Sequence, residues 1–369
     1  MMHVLITGSI VALLFYVFVS GPLQGYTRNK QFVMAPHSEF DITPGSYIQM
    51  EHIMERKWNA DSPESVIVSP TGELFAGTSD GWLVKLEKNG DTAPVAHVAG
   101  RPLGGAVTKD GTGVYVCVAG IGLVFVDLQS KIPEIVSTLS DGMPIRFADD
   151  ATLASDGKVY FSDASVVAPW VEKSGEYASL GASLVDLLKG SGTGRLLVFD
   201  PATRQTTTLL DGLYFANGVA LSAEEDFILV AETFGFRITR YWLTGSKAGT
   251  VDYFSTRLPG VPDGISRAED GGFWVAINSK ADKVFTTMAN SPLLSYIVAH
   301  LRLDIIPLPP PFGAVMKLNQ SGLPVLNILD VDGIATMPLT SVIEHNGGLY
   351  LGSLKNRFVG YIDLEKIKQ

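Results

Sequence analysis

Four oxygen-bearing side chains recur in similar surroundings along this 369-residue chain. They are Glu64 in "DSPESVIVSPTGEL", Asp149 in "IRFADDATLASDGKVYF", Asn217 in "YFANGVALSAEEDFILV" and Asp263 in "LPGVPDGISRAEDGGFWV". Each is followed by an apolar stretch and then, at a similar spacing, by a turn that opens the next strand. Taken singly, each has an ordinary explanation. Asn217-Gly218 and Asp263-Gly264 are turn-forming pairs, with Gly218 freeing the backbone to turn, and a glutamate such as Glu64 can cap a strand entry by accepting backbone N–H groups. Taken together, three carboxylates and an amide brought to one buried place would repel one another unless a cation joined them. Ca²⁺, or another divalent cation that prefers oxygen, suits such a set because it accepts about 6–8 oxygen ligands in irregular geometry. Zinc suits it poorly, since no His or Cys stands at these positions. Asp149, Asp150 and Asp263 are the candidates for acid–base work, with Asp150 equally able to orient a ligand or to be solvated.

For these residues to meet, the chain must bring together positions far apart in sequence, and its repeats show how. A turn with Asp/Asn-Gly or Thr-Gly, a strand, a small-residue step and a second strand recur six times. The copies are "SPTGELFAGTSDGWLVKLEKNG", "TKDGTGVYVCVAGIGLVFVDLQS", "ASDGKVYFSDAS" with "GRLLVFDPATRQ", "SAEEDFILVAETFGFRITRYWLTG", "EDGGFWVAIN" with "GAVMKLNQSG", and "HNGGLYLGSLKNRFVGYIDLEK". Where insertions do not intervene, successive turns fall about 40–45 residues apart, the period of a four-stranded propeller blade. The fold class is therefore all-β, a six-bladed β-propeller, in which each sheet buries its faces on its neighbours and equivalent positions converge on the axis. The four oxygen-bearing residues are placed just before the first strand of their blades. Two partly helical insertions interrupt the pattern, Val166 to Gly192 and Lys280 to Pro311, the second with Ser291-Pro292 as a helix start. Three roles are open to them: a substrate lid, a membrane contact, or packing on the propeller surface.

Composition agrees with a buried, turn-rich β protein: 46% apolar, 18% charged, 38 glycines and 20 prolines. A net charge of −10, with no basic stripe, excludes nucleic acid as the expected partner. The single cysteine, Cys117, lies in the strand-like "GVYVCVAG" and reads as a small buried hydrophobe. His345 in "IEHNGGLY" belongs to a surface turn. No G-x-S-x-G elbow, P-loop or dinucleotide fingerprint stands in a strand-to-helix context, which disfavours a serine-nucleophile hydrolase. Near the N-terminus, Val4 to Val19 is an uncharged apolar run, read as an uncleaved signal anchor in preference to a cleaved signal peptide. The domain reading is 1–25 anchor or signal, 26–50 linker and 51–369 propeller. The propeller is expected in a lumen or outside the cell, held to the membrane by the N-terminal segment; secretion is the alternative.

The stretches "ANGVALSAEEDFILVAETFGFRITRYWLTG", "LPGVPDGISRAEDGGFWVAI", "GRLLVFDPAT" and "TSVIEHNGGLYLGSLKNRFVGYI" resemble the strictosidine synthase-like branch of the senescence marker protein/gluconolactonase superfamily, over roughly residues 50 to 365. The resemblance implies a six-bladed propeller. In the superfamily's metal-dependent hydrolases a channel Ca²⁺ or similar ion is held by a Glu in the first blade and by Asn and Asp side chains in later ones. That correspondence falls on Glu64, Asn217 and Asp263, and puts Asp149 where the family's "F-x-N-D" motif has an Asn. A carboxylate there keeps the oxygen donor and adds a negative charge. The plant synthases use a glutamate in the last blade for a Pictet-Spengler condensation, and Thr340 in "MPLTSVIEHNGGLY" stands at that position, unable to do acid–base work near neutral pH.

The function expected is a metal-dependent hydrolase of esters or lactones, with a small-molecule substrate, ligands Glu64, Asp149, Asn217 and Asp263, and Asp149 or Asp150 as base. Two other readings stand beside it: a non-catalytic propeller that binds a ligand or partner, and an amine–aldehyde condensing enzyme, disfavoured by Thr340.

Overall fold

In a computed structural model of the chain, residues 37–43, 45–190, 192–281, 286–287, 290–300 and 310–367 are described. Six antiparallel sheets follow one another as the blades of a propeller, over residues 66–97, 101–137, 148–213, 216–255, 260–330 and 339–363. The central strands are what the continuous apolar runs lead one to expect: every residue of Gly113–Ala119, including Cys117, is buried. Neighbouring blades share cores. Ile67 and Phe75 of blade one pack with Val114, Val116 and Val124 of blade two. Leu229 and Ala231 of blade four do the same with Val275 and Met316 of blade five.

Two N-terminal strands complete the ring. Met54–Trp58 pairs antiparallel with Val359–Asp363 and supplies the outer strand of blade six, so that the start of the propeller is fastened to its end. Ile48–Gln49 adds a short parallel strand to the edge of blade five. Neither strand belongs to the repeat, and "MERKW" is too charged to alternate visibly.

In each blade the inner strand begins at the same face of the ring. The antiparallel meander then puts the connections between blades, and those between second and third strands, on that face. The remaining turns lie on the opposite face. Both insertions join second and third strands, in blades three and five. The first carries helix α1, Ser179–Lys189, which ends at Gly190 in the left-handed conformation (φ 55°), its N–H donating to the Asp186 and Leu187 carbonyls. The second carries α2, Pro292–His300, starting at the expected proline, with the Leu294 N–H donating to Ser291 Oγ. The two helices pack against each other. Among the described residues no helix is long and apolar enough to cross a membrane. The apolar segment Val4 to Val19 lies outside the described residues.

Candidate functional site

Three of the four oxygen-bearing residues stand inside the inner strands rather than before them, because each occupies a β-bulge. In blade three Ala148 pairs with Asp163 and Ala151 with Phe161, leaving Asp149 and Asp150 opposite one residue. The same two-against-one count leaves Asn217-Gly218 in blade four and Asp263-Gly264 in blade five. Blade two has Leu103-Gly104 at this place, and blade six has a single extra residue, Thr340. Glu64 precedes its strand, Val66–Val68, as expected. A bulge breaks the alternation of the strand and re-aims the side chain. This is why a run that is buried throughout can offer one polar group to the channel.

The second residue of each bulge explains the glycines. Gly218 does not have a positive φ, so it is not there to turn the chain. A Cβ on it would lie 2.3 Å from the Ile265 nitrogen and 2.6 Å from Gly264 Cα. Likewise a Cβ on Gly104 would lie 2.1 Å from Asp150 Oδ1. The inner strands of blades two to five meet closely at the hub, and of their four bulges only that of blade three has a side chain at this place, Asp150. Its Oδ1 accepts the Ala151 N–H (2.8 Å) and its Oδ2 the Val219 N–H (3.0 Å), tying blade three to blade four.

Glu64, Asp149, Asn217 and Asp263 line one cavity of about 150 Å³ at the mouth face, and each is only 4–6% exposed. Its walls are apolar, with Leu103, Phe147, Phe215, Phe234, Val261 and Phe312 from the blades and Leu180 and Leu184 from α1. Ser179 also lines it, and its buried Oγ has no hydrogen-bond partner among the described residues. Glu64, Asp149 and Asn217 border as well a wider polar space of about 480 Å³ on the opposite side of the hub, where Asp150 lies. The polar ring is thus a floor between the two spaces. Asp263 faces only the mouth cavity, and Asp150 only the other.

Several residues that hold this floor were not singled out from sequence. Arg101 Nη2 donates to the Ser62 carbonyl (2.5 Å), two residues before Glu64. Asp163, paired with Arg195 at 2.6 Å, accepts the Phe147 N–H (2.7 Å), two residues before Asp149. Glu232, paired with Arg237 at 2.7 Å, accepts the Tyr214 N–H (3.0 Å), three residues before Asn217. Asn278 Nδ2 donates directly to Asp263 Oδ2 (3.0 Å), and Asn217 Nδ2 donates to Thr233 Oγ1 (3.3 Å). Asp163, Glu232 and Asn278 sit at or near the ends of second strands, in "YFSDAS", "LVAETFG" and "VAINS". A polar residue closing an apolar strand was the signal available. Thr340, fully buried, donates its hydroxyl to the Glu64 carbonyl (2.6 Å) and so positions the loop of blade one.

The acids are strongly perturbed. Burial first, then the carboxylates of Asp263 and Asp150, hold Glu64 well above the ordinary glutamate value, with Arg101 offsetting part of it. Burial, then Glu64 and Asp263, does the same to Asp149. Burial raises Asp263 to about 7 against the hydrogen bonds from Asn278 and Asn217. Asp150 is also raised to about 7 by burial, against its two backbone N–H donors. Arg101, pushed down to about 10 by its own burial, is the cation that acts on Glu64.

Among the described residues no three His, Cys, Asp or Glu side chains close into a ready-made coordination cluster. The donor set nevertheless fits a hard divalent cation: three acids that repel one another, an amide oxygen, no nitrogen or sulfur ligand, and room for further oxygens. Regular tetrahedral zinc does not fit these donors.

Comparisons with known proteins agree with this architecture. Residues 149–246 match the strictosidine synthase family and residues 50–86 the N-terminal region of strictosidine synthase-like proteins. Adipocyte plasma membrane-associated protein of Rattus norvegicus is 34% identical over 342 residues, 86% of this chain and 87% of that protein. Protein strictosidine synthase-like 10 of Arabidopsis thaliana is 33% identical over 335 residues, 83% of this chain and 86% of that one. A gluconolactonase from Xanthomonas campestris superposes with a TM-score of 0.61 at 14% identity, covering 90% of this chain and 97% of its own. The calcium-binding protein regucalcin from Agrobacterium tumefaciens gives 0.57 at 13%, covering 84% and 93%. At those identities the two structures speak for the fold, while the sequence relatives decide the family. The chain belongs to the strictosidine synthase-like family, in the branch that contains adipocyte plasma membrane-associated protein.

Proposed function

We propose that the protein is a calcium-dependent hydrolase of small apolar esters or lactones, acting at the mouth cavity. The observation that carries this reading is that four blades each send one oxygen-bearing side chain to a common buried floor under apolar walls. Glu64, Asp149, Asn217 and Asp263 would hold the ion. A bound hard divalent cation supplies Lewis-acid polarisation of a carbonyl and the positive charge against which these carboxylates ionise.

The chain's own groups divide the remaining work. Phe147, Phe215, Phe234, Leu180 and Leu184 exclude bulk water and grip an apolar acyl or ring carbon frame. Ser179 Oγ, without a partner among the described residues, donates to a substrate oxygen. Asp149 is the better base, because among the described residues its carboxylate accepts no hydrogen bond, whereas Asp263 is held by Asn278 and Asn217. A carboxylate that burial leaves with a raised proton affinity and no hydrogen-bond donor is suited to take a proton from an attacking water. Asp150, with both oxygens committed to backbone N–H groups, positions the hub. Thr340, committed to the Glu64 carbonyl, leaves the condensation reading without its acid–base group.

The names of the adipocyte plasma membrane-associated relatives, together with the apolar run Val4 to Val19, support a membrane-anchored protein with the propeller in a lumen or outside the cell. The test of function is hydrolysis of a panel of aryl esters and lactones by the full chain, before and after chelation. Activity should vanish with chelator, return with Ca²⁺, and be lost in Asp149→Asn and Glu64→Gln. Hydrolysis indifferent to chelator and to both substitutions would sink the proposal; calcium binding without any hydrolysis would favour the ligand-binding propeller.

A further inference from the structure

The two faces of the propeller differ in kind. On the mouth face, Val166, Trp170 and Val171 of the first insertion and Leu293, Leu294 and Ile297 of α2 are all exposed, Val171 at 58% and Leu293 at 68%. They are not scattered, because Trp170 rests against Gly181 of α1, and α1 packs on α2. A shared apolar surface therefore lies beside the cavity that α1 itself lines. The opposite face carries the strand-joining turns, with Lys109-Asp110, Asp156, Glu225-Asp226 and Glu269-Asp270 among them. There the exposed large apolar side chains are few, Ile132 on one turn and Leu323 with Val325 at another, which is ordinary for a protein surface. Clustered exposure rimmed by polar residues is not ordinary, and marks an interaction site.

The entry of the chain lies on the same face. His37 stacks on Phe236 at 5.5 Å, the Ser38 N–H donates to the Arg257 carbonyl, and Phe40 packs on Phe312 at 5.1 Å. Phe312 is a wall of the mouth cavity. Between the apolar run ending at Val19 and His37 stand residues 20–36, a reach of at most roughly 60 Å even when fully extended. An N-terminal segment seated in a bilayer therefore keeps the mouth face, where the chain enters, within that reach of the bilayer, and this is the face that carries the apolar surface.

We propose that the mouth face docks on a lipid surface, with the 166–171 stretch and α2 set at the boundary between headgroups and acyl chains, so that apolar substrate reaches the cavity from the membrane. The inference rests on the membrane-anchor reading above but not on the hydrolase reading. Trp and Leu are the side chains that such a boundary accommodates, and a short helix that sets exposed leucines into it needs no spanning length. A partner protein or a second copy of the chain would also cover an apolar surface; the tethered lipid is favoured because the chain itself delivers this face to it.

The lone cysteine gives a direct test. Cys117 is fully buried, so Leu293→Cys, Val171→Cys and, on the opposite face, Leu323→Cys each offer one accessible thiol. Each variant of the full chain is labelled with an environment-sensitive fluorophore and reconstituted in phosphatidylcholine–phosphatidylserine vesicles, with and without acyl-brominated lipid. The proposal expects blue-shifted emission quenched by brominated lipid at 293 and 171, and water-like, unquenched emission at 323. Similar emission at all three positions, or failure of the full chain to bind vesicles, would overturn it. Labels at 293 and 171 shielded before any lipid is added would assign the surface to a protein contact instead. Because a label can itself perturb the helix, intrinsic fluorescence of the unlabelled chain is read as well: brominated lipid should quench it less in Trp170→Phe than in the parent, and equal quenching counts against docking. Hydrolysis of a water-soluble aryl ester, measured on the same preparations, separates loss of docking from absence of the enzyme.

Discussion

Asp263→Asn isolates the cost of burying an ionisable acid at the floor. The substitution keeps the shape of the side chain and an oxygen for Asn278 to bond, and removes one charge from the floor. In the metal-free parent, Asp263 has a folded pKa raised to about 7 from an ordinary value of 3.8, by burial first. For a carboxylate raised on folding, the stabilising contribution is complete below the unfolded value and is lost as pH rises through the folded one. That difference corresponds to about 4 kcal/mol lost between about pH 4 and pH 8. The asparagine is neutral throughout and does not lose it. In chelator, the stability of Asp263→Asn relative to the parent should therefore improve with pH, by up to about 4 kcal/mol, or roughly 8 °C in melting temperature. Added Ca²⁺ should reverse the ranking at pH 8, raising the melting temperature of the parent and leaving the variant nearly unmoved. Melting curves at pH 4.5 and 8, with chelator or with calcium, supply the full comparison. A variant destabilised equally at both pH values, or stabilised by calcium as strongly as the parent, would refute the assignment of Asp263 to a charge-crowded ion site.

Three other outcomes follow from the same geometry. Calcium binding should expel protons held by Glu64, Asp149 and Asp263, more at pH 6 than at pH 9, which titration calorimetry in buffers of different ionisation enthalpy will read directly. Gly104→Ala puts a Cβ 2.1 Å from Asp150 Oδ1 and 2.8 Å from its Cα, so the hub must open; a loss of about 2 kcal/mol or more in urea unfolding is expected, and a neutral effect would show that the inner strands are not tightly apposed. Thr340→Val removes the hydroxyl that holds the Glu64 carbonyl, costing about 1–2 kcal/mol in the same assay and weakening calcium affinity through Glu64. Unchanged affinity would mean that Thr340 has no part in positioning that residue.

The sequence determined the blade count and the identity of the floor residues. Each blade repeats its own turn and apolar strand locally, and a residue at the same offset in each repeat must arrive at the same height in the ring. What local spacing does not carry is the pairing of one strand with another. The bulges that place Asp149, Asn217 and Asp263 inside their strands are visible only in the register against the second strand. Gly218 reads in sequence as a turn residue, and only the approach of Gly264 and Ile265 from the next blade shows that it makes room. Asp149 and Asp150 are neighbours of like chemistry in the chain, yet a bulge sends one to the floor and the mouth cavity and ties the other into the hub. The closing strand Met54–Trp58 and the gathering of apolar residues on the mouth face likewise depend on contacts between segments far apart in sequence, and the pins at Arg101, Asp163, Glu232 and Asn278 depend on which strand ends and connections are brought side by side. The repeat is written in each segment separately. The depth, aim and protonation of its side chains are decided where the segments meet, because burial and charge crowding are properties of the assembled ring.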